Sequence, residues 1–314
     1  MAAALALAAR GRGRTGSNPN VGCLIVKDGR IVGRGWTQDG GRPHAEAMAL
    51  ATADAEGSTA YVTLEPCAHL SDRGPACADS LIAARIARCV IAVQDPDPRT
   101  AGQGIARLEA ANIAVSLSAR NAAARHELAG FTSRLQSSRP SLTLKLALSL
   151  DGRIAMHNGT SQWITGETAR TYVHVLRAEA DMIVVGGGTL RADAPGLGIR
   201  LAGSSAPQPI RAAITSGSVP EGWLGMPSVA ALDEIAVRLG VNRILCEGGG
   251  HLACTLLAAG RVDRMILMRA PILIGAGSGL DTLVPESLAG THNQWQLTDR
   301  RPLDPDLLEI YSRR

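Results

Sequence analysis

His44, Glu46, Cys67 and Cys77 have the residue types and spacing to build a catalytic metal site. Two thiolates and one neutral imidazole would grip a zinc ion and leave a fourth position for water. A catalytic zinc needs that opening, whereas a structural zinc usually fills all four positions with protein ligands. Glu46 stands two residues beyond His44, close enough to reach a water on the metal without ligating it. Bound zinc lowers the pKa of its water to about 7, which makes a nucleophile available at neutral pH. A carboxylate beside it is suited to take the released proton and hand it on. Lone histidines are usually surface or satisfied core residues, and lone cysteines usually behave as small buried hydrophobes. Here His44-Ala45-Glu46, Pro66-Cys67 and Cys77 bring the ligand types and the glutamate together in one order, which favours the metal reading. Cys23, Cys89, Cys246 and Cys254 lack such company and sit in apolar stretches, so they read as core.

Both metal-binding segments read as helix starts. Pro43 suits the first turn of a helix over 43–55. The strand-like run 60–64 ends at Glu65-Pro66-Cys67, which reads as the opening of a second helical segment. Backbone N–H groups at a helix start stabilise thiolates. The H-x-E…P-C…C order is that of the zinc deaminases of nucleobases and related heterocycles. In such chemistry the nucleophile attacks the ring carbon bearing the exocyclic amine. Glu46 would carry the proton to the ring nitrogen and then to the departing ammonia.

The elements around these residues alternate between strand and helix. Strand 21–26 and the returning strand 31–33 flank Lys27-Asp28-Gly29-Arg30, where Asp-Gly favours a hairpin. Helix 43–55, strand 60–64, helix 75–87, strand 89–93, helix 103–111 and strand 113–115 follow, an α/β layered pattern. Helix 120–136 leads to Ser137-Ser138-Arg139-Pro140, a polar joint closed by a proline. The expected units are therefore 1–139 and 140–314, and the second opens with strand 142–147. It carries two strand–glycine–helix units. One is Met182-Ile183-Val184-Val185 with Gly186-Gly187-Gly188-Thr189. The other is Arg243 to Glu247 with Gly248-Gly249-Gly250, then a helix through Leu252 to Ala259. Such turns let phosphate approach backbone N–H donors at a helix start, and two of them suit a dinucleotide. Glycine turns after strands also simply make room for packing. Neither unit spells G-x-G-x-x-G, so the standard Rossmann fingerprint is absent.

Composition narrows the function classes. The chain has 314 residues, enough for two domains of ordinary size. Its 46% hydrophobic and 19% charged residues suit globular domains with ample core. A net charge of +4 suits anionic small molecules without requiring nucleic acid. One Phe, three Tyr and four Trp leave little material for the stacking platforms of a single-strand binder. Six cysteines in a chain of this length do not make a disulfide framework, and zinc thiolates call for a reducing compartment. The apolar opening Met1–Ala9 is followed, not preceded, by Arg10, Arg12 and Arg14, the wrong order for a signal peptide. It reads as a first helix packed on a sheet. No run is long enough to span a bilayer, and the expectation is a cytoplasmic protein.

Several motifs together resemble one family over nearly the whole chain. In the first half these are Asn18-Pro19-Asn20-Val21-Gly22, Pro43-His44-Ala45-Glu46, Thr63-Leu64-Glu65-Pro66-Cys67-Ala68-His69, Pro75-Ala76-Cys77-Ala78-Asp79 and Asp95-Pro96-Asp97-Pro98. In the second half they are the run Lys145 to Arg153, Ser161-Gln162-Trp163-Ile164-Thr165, Gly188-Thr189-Leu190-Arg191-Ala192-Asp193 and Glu247-Gly248-Gly249. The chain resembles the bifunctional riboflavin-biosynthesis deaminase/reductases, in which a zinc-dependent pyrimidine deaminase is fused to an NADPH-dependent reductase. The resemblance implies an α/β protein with an N-terminal cytidine-deaminase-like zinc domain and a C-terminal dihydrofolate-reductase-like domain. It implies hydrolytic deamination of a diaminopyrimidinone carrying a ribosylamino phosphate, then NADPH reduction of the ribosyl group to ribityl.

By matching position, the resemblance makes His44, Cys67 and Cys77 the zinc ligands and Glu46 the catalytic proton carrier. It places Asn20 and His69 at the pyrimidine or its phosphate. Ala147, Trp163, Thr189, Asp193 and Ser216 match NADP-contacting positions, as does the turn Gly249-Gly250-His251-Leu252-Ala253-Cys254-Thr255. Ser161, Arg177, Leu197, Arg200 and Glu247 match substrate positions. Two arginines suit a phosphate monoester through bidentate charge-assisted bonds, although Arg177 and Arg200 also fit ordinary surface arginines, and Trp163 also fits a core position. The implied partners are small pyrimidine ribosyl phosphates, with no nucleic acid and no membrane. A homodimer or higher homo-oligomer is the default assembly.

The chain departs from the family in places. Leu70 stands where a second histidine is usual, and Asp97 where asparagine is common, so Asp97 receives no assigned role. The stretch from Ser216 to Glu247 is short by roughly a strand and a helix. That shortening motivates a second reading, an active deaminase with a degenerate, oligomerising reductase-like domain. A third reading is a nucleic-acid base deaminase, which the low aromatic content opposes. Arg73, in the loop between the two cysteines, is expected to supply the polar group that leucine at position 70 cannot. An Arg73→Ala enzyme should show a raised deaminase KM, and an unchanged KM counts against that role.

Overall fold

The computed structural model describes residues 1–69, 74–118, 121–283 and 291–314. Leu70 and Arg73 lie outside the described residues. The chain divides into two compact units, Met1–Arg139 and Pro140–Arg314.

The first unit is built on a five-stranded sheet of order β2-β1-β3-β4-β5. Its strands are β1 (Gly22–Lys27), β2 (Arg30–Trp36), β3 (Thr59–Val62), β4 (Arg88–Ile91) and β5 (Ala114–Leu117). β1 runs antiparallel to β2 and β3, while β3, β4 and β5 are parallel. The hairpin falls at the Asp-Gly pair, where Asp28 (φ 51°) and Gly29 (φ 73°) both take the positive φ that a two-residue turn demands. Helix α1 (Ala2–Ala8) packs through buried Ala4 and Ala8. A Cβ on Gly22 would lie 1.9 Å from the Ala4 carbonyl oxygen, so only glycine admits the helix there.

Helix α2 (Ala45–Leu50) lies against β2 in the same manner. A Cβ on Gly35 would meet the Ala45 carbonyl oxygen at 2.0 Å. This helix is shorter than the expected 43–55. Pro43 is outside it, and His44, extended at φ −70° and ψ 161°, is its N-cap residue. A second expectation also changes. Pro66-Cys67 does not open a helix; residues 65–69 are irregular, and helix α3 begins at Cys77 (Cys77–Ala83). The physical reason is that this segment bonds outward: the Cys67 carbonyl accepts the Ala78 N–H at 3.1 Å, and the Glu65 N–H donates to the Val93 carbonyl at 2.9 Å. Helix α4 (Gln103–Ala110) completes the layer, and the expected helix 120–136 is split at Leu128 into α5 (Asn121–Glu127) and α6 (Ala129–Ser137).

The second unit carries an eight-stranded sheet of order β10-β9-β8-β11-β6-β12-β15-β14. These are β6 (Ser141–Leu148), β8 (Met182–Gly186), β9 (Ile210–Ile214), β10 (Leu224–Met226), β11 (Arg243–Cys246), β12 (Arg264–Arg269), β14 (Trp295–Leu303) and β15 (Asp306–Arg313). A small separate pair joins β7 (Ala155–Met156) and β13 (Gly277–Ser278). The six strands from β10 to β12 are parallel, and β15 and β14 are antiparallel additions. Parallel strands must be covered on both faces. Ile183 and Val185 accordingly face Ala169, Val173 and Leu176 of α7 (Glu167–Ala178). Helix α8 (Gly187–Asp193) follows β8 directly. Met182 and Val184 face the other way, into a core with Leu232 and Ala236 of α9 (Val229–Arg238) and Leu256 of α10 (Gly250–Ala258). The short stretch after Ser216 still supplies β10, α9 and β11, so β11 reaches the middle of the sheet. Cys23, Cys89, Cys246 and Cys254 are all buried, as their apolar surroundings imply.

At the end of β6, Asp151 ties two loops together. Its carboxylate accepts the Ser149 hydroxyl at 2.6 Å and the N–H groups of Ile274 and Gly275 at 3.1 and 2.8 Å. The Ser149 bond, then the two N–H bonds, hold its pKa down at about 2, below the usual 3.8. A depressed folded pKa gives stability that is present above the unfolded value and lost as pH falls through the folded one. Asp151→Asn should therefore be less stable than the parent at neutral pH. In denaturant titrations that gap should close as pH falls from about 4 towards about 2; a gap independent of pH would refute the assignment.

Candidate active sites

In the first unit, three ligand atoms converge. His44 Nδ1 lies 3.1 Å from Cys77 Sγ and 3.6 Å from Cys67 Sγ, and all three donor atoms lie within 4.8 Å of one another. A tetrahedral zinc with ordinary Zn–N and Zn–S bonds separates nitrogen from sulfur by about 3.6 Å. The donor set therefore fits zinc in chemistry and in spacing. His44 comes from the start of α2, Cys77 from the first position of α3, and Cys67 from the irregular segment after β3. Cys67 Sγ accepts the Cys77 N–H at 3.3 Å. The Cys77 thiol, followed by His44 and that N–H, holds the Cys67 pKa down at about 4, while sharing with Cys67 and burial push the Cys77 thiol up. One of the two sulfurs is thus a ready thiolate. The His44 pKa is raised, chiefly by its bond to Cys67.

Glu46 sits in the first turn of α2 and is only 3% exposed. Burial pushes its pKa up, and it also bonds the Cys77 thiol. His69 Nδ1 lies 3.4 Å from Thr100 Oγ1, which joins the segment after Cys67 to the 95–102 loop. In that loop burial raises Asp95 to about 6. Asp97 is held low by the Arg99 guanidinium, which forks onto it. Asn20 is placed differently from a ligand-facing amide. It is buried, and its amide donates to the Ala8 carbonyl at 3.1 Å and to Glu127 Oε1 at 2.6 Å.

In the second unit, β8 and β11 are parallel neighbours, so their glycine turns emerge side by side. The Gly249 N–H donates to Thr189 Oγ1 at 3.1 Å across the two turns. A cleft of about 670 Å³ opens at this end of the sheet. Ligands of parallel α/β sheets bind at the carboxyl ends of the strands, and this volume lies in the usual range for small-molecule sites. The cleft brings together Ala147, Ser161, Trp163, Arg177, Thr189 and Asp193 with Leu197, Arg200, Glu247 and Gly249. Trp163 is not core: it is 67% exposed, with the Arg170 guanidinium 5.0 Å from its ring centre. Arg177 is not a free surface arginine either. It forks onto Glu247 at 2.7 and 2.9 Å and donates to the Gly198 carbonyl at 3.0 Å. Arg200 is exposed beside it.

Other expected cofactor residues lie off the cleft. Ser216 is exposed on the loop after β9. Leu252, Ala253 and Cys254 are buried on the sheet side of α10, while His251 and Thr255 are exposed on its outer side. The side chains of 252–254 therefore serve packing, and the cleft receives only the start of this turn. Lys145, Thr165, Arg170 and His174 are among the cleft residues to which sequence reasoning gave no role. Lys145 left a signal in the sequence, since it is a single cation in a strand that alternates Leu142, Leu144, Leu146 and Leu148. Burial pushes its pKa down, with Glu247 opposing and Arg177 reinforcing that shift.

Comparison with known proteins adds independent observations. The family model for the cytidine and deoxycytidylate deaminase zinc-binding region matches residues 1–93. The RibD C-terminal domain model matches residues 140–222 and 223–308. The riboflavin biosynthesis protein RibD of Escherichia coli is 40% identical over 355 residues, covering 98% of this chain and 96% of that protein. Its Haemophilus influenzae counterpart is 36% identical, covering 99% and 96%. Among solved structures, Acinetobacter baumannii RibD superposes with a TM-score of 0.90 at 33% identity, covering 100% of this chain and 97% of that one. A Thermotoga maritima diaminohydroxyphosphoribosylaminopyrimidine deaminase/5-amino-6-(5-phosphoribosylamino)uracil reductase gives 0.90 at 28% identity, with the same coverage.

Proposed function

The chain belongs to the RibD family of bifunctional riboflavin-biosynthesis enzymes, and from that premise we propose which of its residues perform each step. It is a deaminase that takes zinc and a reductase that takes NADPH. We assign deamination to residues 1–139 and reduction to residues 140–314. The observation that carries the first assignment is the meeting of His44, Cys67 and Cys77 beside buried Glu46.

In the deaminase unit, His44 Nδ1 and the two cysteine sulfurs are the zinc ligands. Zinc bound there supplies Lewis acidity, which makes a water nucleophilic near neutral pH. Glu46 takes one proton from the attacking water and passes it to the ring nitrogen, then takes the second from the added hydroxyl and delivers it to the leaving amine. Water and the aminopyrimidine thus become a carbonyl and ammonia. His69 orients the pyrimidine or its phosphate. The Asn20 amide, already given to Ala8 and Glu127, acts by shaping the wall.

In the reductase unit, the glycine turns after β8 and β11 hold the cofactor through backbone N–H groups, with Thr189, Asp193, Ala147 and Trp163 around it. NADPH supplies the hydride, and the protein's task is orientation. Bound NADPH would supply that hydride to the ribosyl carbon bearing the amine, with the carbon's bond to the ring oxygen breaking and that oxygen taking a proton. Ser161, Leu197, Arg177 and Glu247 form the ribosyl side of the cleft. Because Arg177 is committed to Glu247, Arg200 is the arginine free to receive the phosphate. The reading of a degenerate second domain is not favoured, since the reductase family model spans that unit and the cleft gathers its residues. A nucleic-acid base deaminase is likewise not favoured by relatives that act in riboflavin biosynthesis.

The substrates are small molecules, and among the described residues no helix is long and apolar enough to cross a membrane. We place the enzyme in the cytoplasm, where thiolates stay reduced, as a homodimer or higher homo-oligomer, symmetric assemblies being the commonest.

Two experiments test these roles. Glu46→Gln should keep about one zinc yet lose deamination by about 10²- to 10⁴-fold, whereas Cys67→Ser should lose the metal itself. Elemental analysis beside an ammonia-release assay separates the two. Residual activity near the parent's would contradict the role of Glu46, and full zinc in the serine variant would exclude Cys67 as a ligand. Asp193→Ala should spare deamination and slow NADPH oxidation; an equal loss of both would show that the two sites do not work independently.

A further inference from the structure

Glu65 has no part in the chemistry above, yet it is one of the most thoroughly bonded side chains near the metal cluster. It is 3% exposed. Its Oε2 accepts the N–H groups of Asp95 and Gly102 at 3.2 and 3.0 Å, and its Oε1 those of Gly104 and Ile105 at 2.9 and 3.2 Å. All four donors belong to the 95–105 segment, and two of them lie in the first turn of α4, where N–H groups have no helical partner. The backbones approach just as closely. A Cβ on Gly104 would meet the Pro66 carbonyl oxygen at 2.0 Å.

Cys67 is two residues along from this anchor. Its other side is fixed to α3, because its carbonyl accepts the Ala78 N–H and its sulfur the Cys77 N–H. The segment 65–69 is therefore clamped between the starts of α3 and α4. The 95–102 loop, which presents Thr100 to His69, hangs from the same carboxylate. One side chain thus sets both the position of a zinc ligand and the position of the wall beside it.

We propose that Glu65 is a positioning residue for deamination, holding the Cys67–His69 segment and the 95–102 loop in register so that zinc affinity and pyrimidine binding depend on it together. This rests on the assignment of Cys67 as a zinc ligand and His69 as a substrate contact. An ionised carboxylate only accepts hydrogen bonds, whereas an amide turns an NH₂ group towards two of the four backbone donors. Glu65→Gln consequently breaks the clamp while nearly preserving volume. Glu46 is carried by α2, which supplies none of the four donors to Glu65, so proton transfer is spared.

The test compares the full-length parent and Glu65→Gln. NADPH oxidation serves as the folding control, a chelator competition reports zinc, and ammonia release at saturating zinc reports kcat and KM. The expected result is unchanged reduction, zinc affinity lower by about tenfold or more, and deaminase KM raised by about tenfold with kcat little altered. Zinc affinity and KM within about twofold of the parent, well below the ordinary effect of an outer-shell change, would overturn the proposal. So would a fall in kcat with KM and zinc unchanged. If the glutamine variant does not fold, Gly104→Ala displaces Pro66 through the same close approach without altering the carboxylate. It should weaken zinc and raise KM in parallel, and unchanged values in that variant also overturn the proposal. A parent enzyme without zinc refutes the metal-site assignment instead, so the two failures are distinguishable.

Discussion

A short approach between backbone and backbone sets the geometry of the deaminase site. The metal cluster needs three donor atoms from separate segments within 4.8 Å, and side chains as short as cysteine leave their backbones little freedom. Glycine at position 35 lets α2 approach β2 closely, which brings His44 and Glu46 to the sheet. Glycine at position 104 does the same where α4 meets Pro66. Cysteine thiolates and a buried carboxyl group can then share one small volume because each has a hydrogen-bond or metal partner there, which unpaired buried polar groups require.

The reductase cleft follows from a different constraint. Parallel strands place their carboxyl ends on one edge, so β8 and β11 deliver two glycine turns next to each other. Neighbouring β6 contributes Lys145 and Ala147 to the same cleft, and α7 contributes Arg177. Arg177 and Glu247 neutralise one another in a half-buried fork. A pair of this kind is costly to break from one side only, so it fixes the cleft wall more than it supplies free charge. Arg170, Arg200 and the buried Lys145 are the other basic side chains that line the cleft.

Much of this could be read from residue types and spacing. The hairpin at Asp28-Gly29 followed from the positive φ that such turns need, and the four cysteines outside the cluster followed from their apolar neighbours. The metal set was visible because zinc chemistry restricts both ligand type and order. Helix boundaries were less legible. Pro43 looked like a first-turn residue and lies outside α2, while Cys67 looked like a helix start and lies in an irregular segment. At Cys67 hydrogen bonds to distant segments replaced local ones, whereas the Pro43 carbonyl accepts the nearby Gln38 N–H at 3.1 Å. Leu252, Ala253 and Cys254 matched a cofactor turn by sequence, yet a helix start shows a ligand its backbone while the following side chains turn into the core.

The sequence alone determined the ligand chemistry, the alternation of elements and the presence of two glycine-turn units, because these depend on residue identity and local spacing. Tertiary structure alone decided that Arg177 is spent on Glu247, that Asn20 is spent on Glu127, and that Glu65 gathers four backbone donors from the 95–105 segment. The physical reason is that a polar side chain bonds whichever partner the folded chain brings within about 3 Å, and no spacing along the sequence specifies that partner.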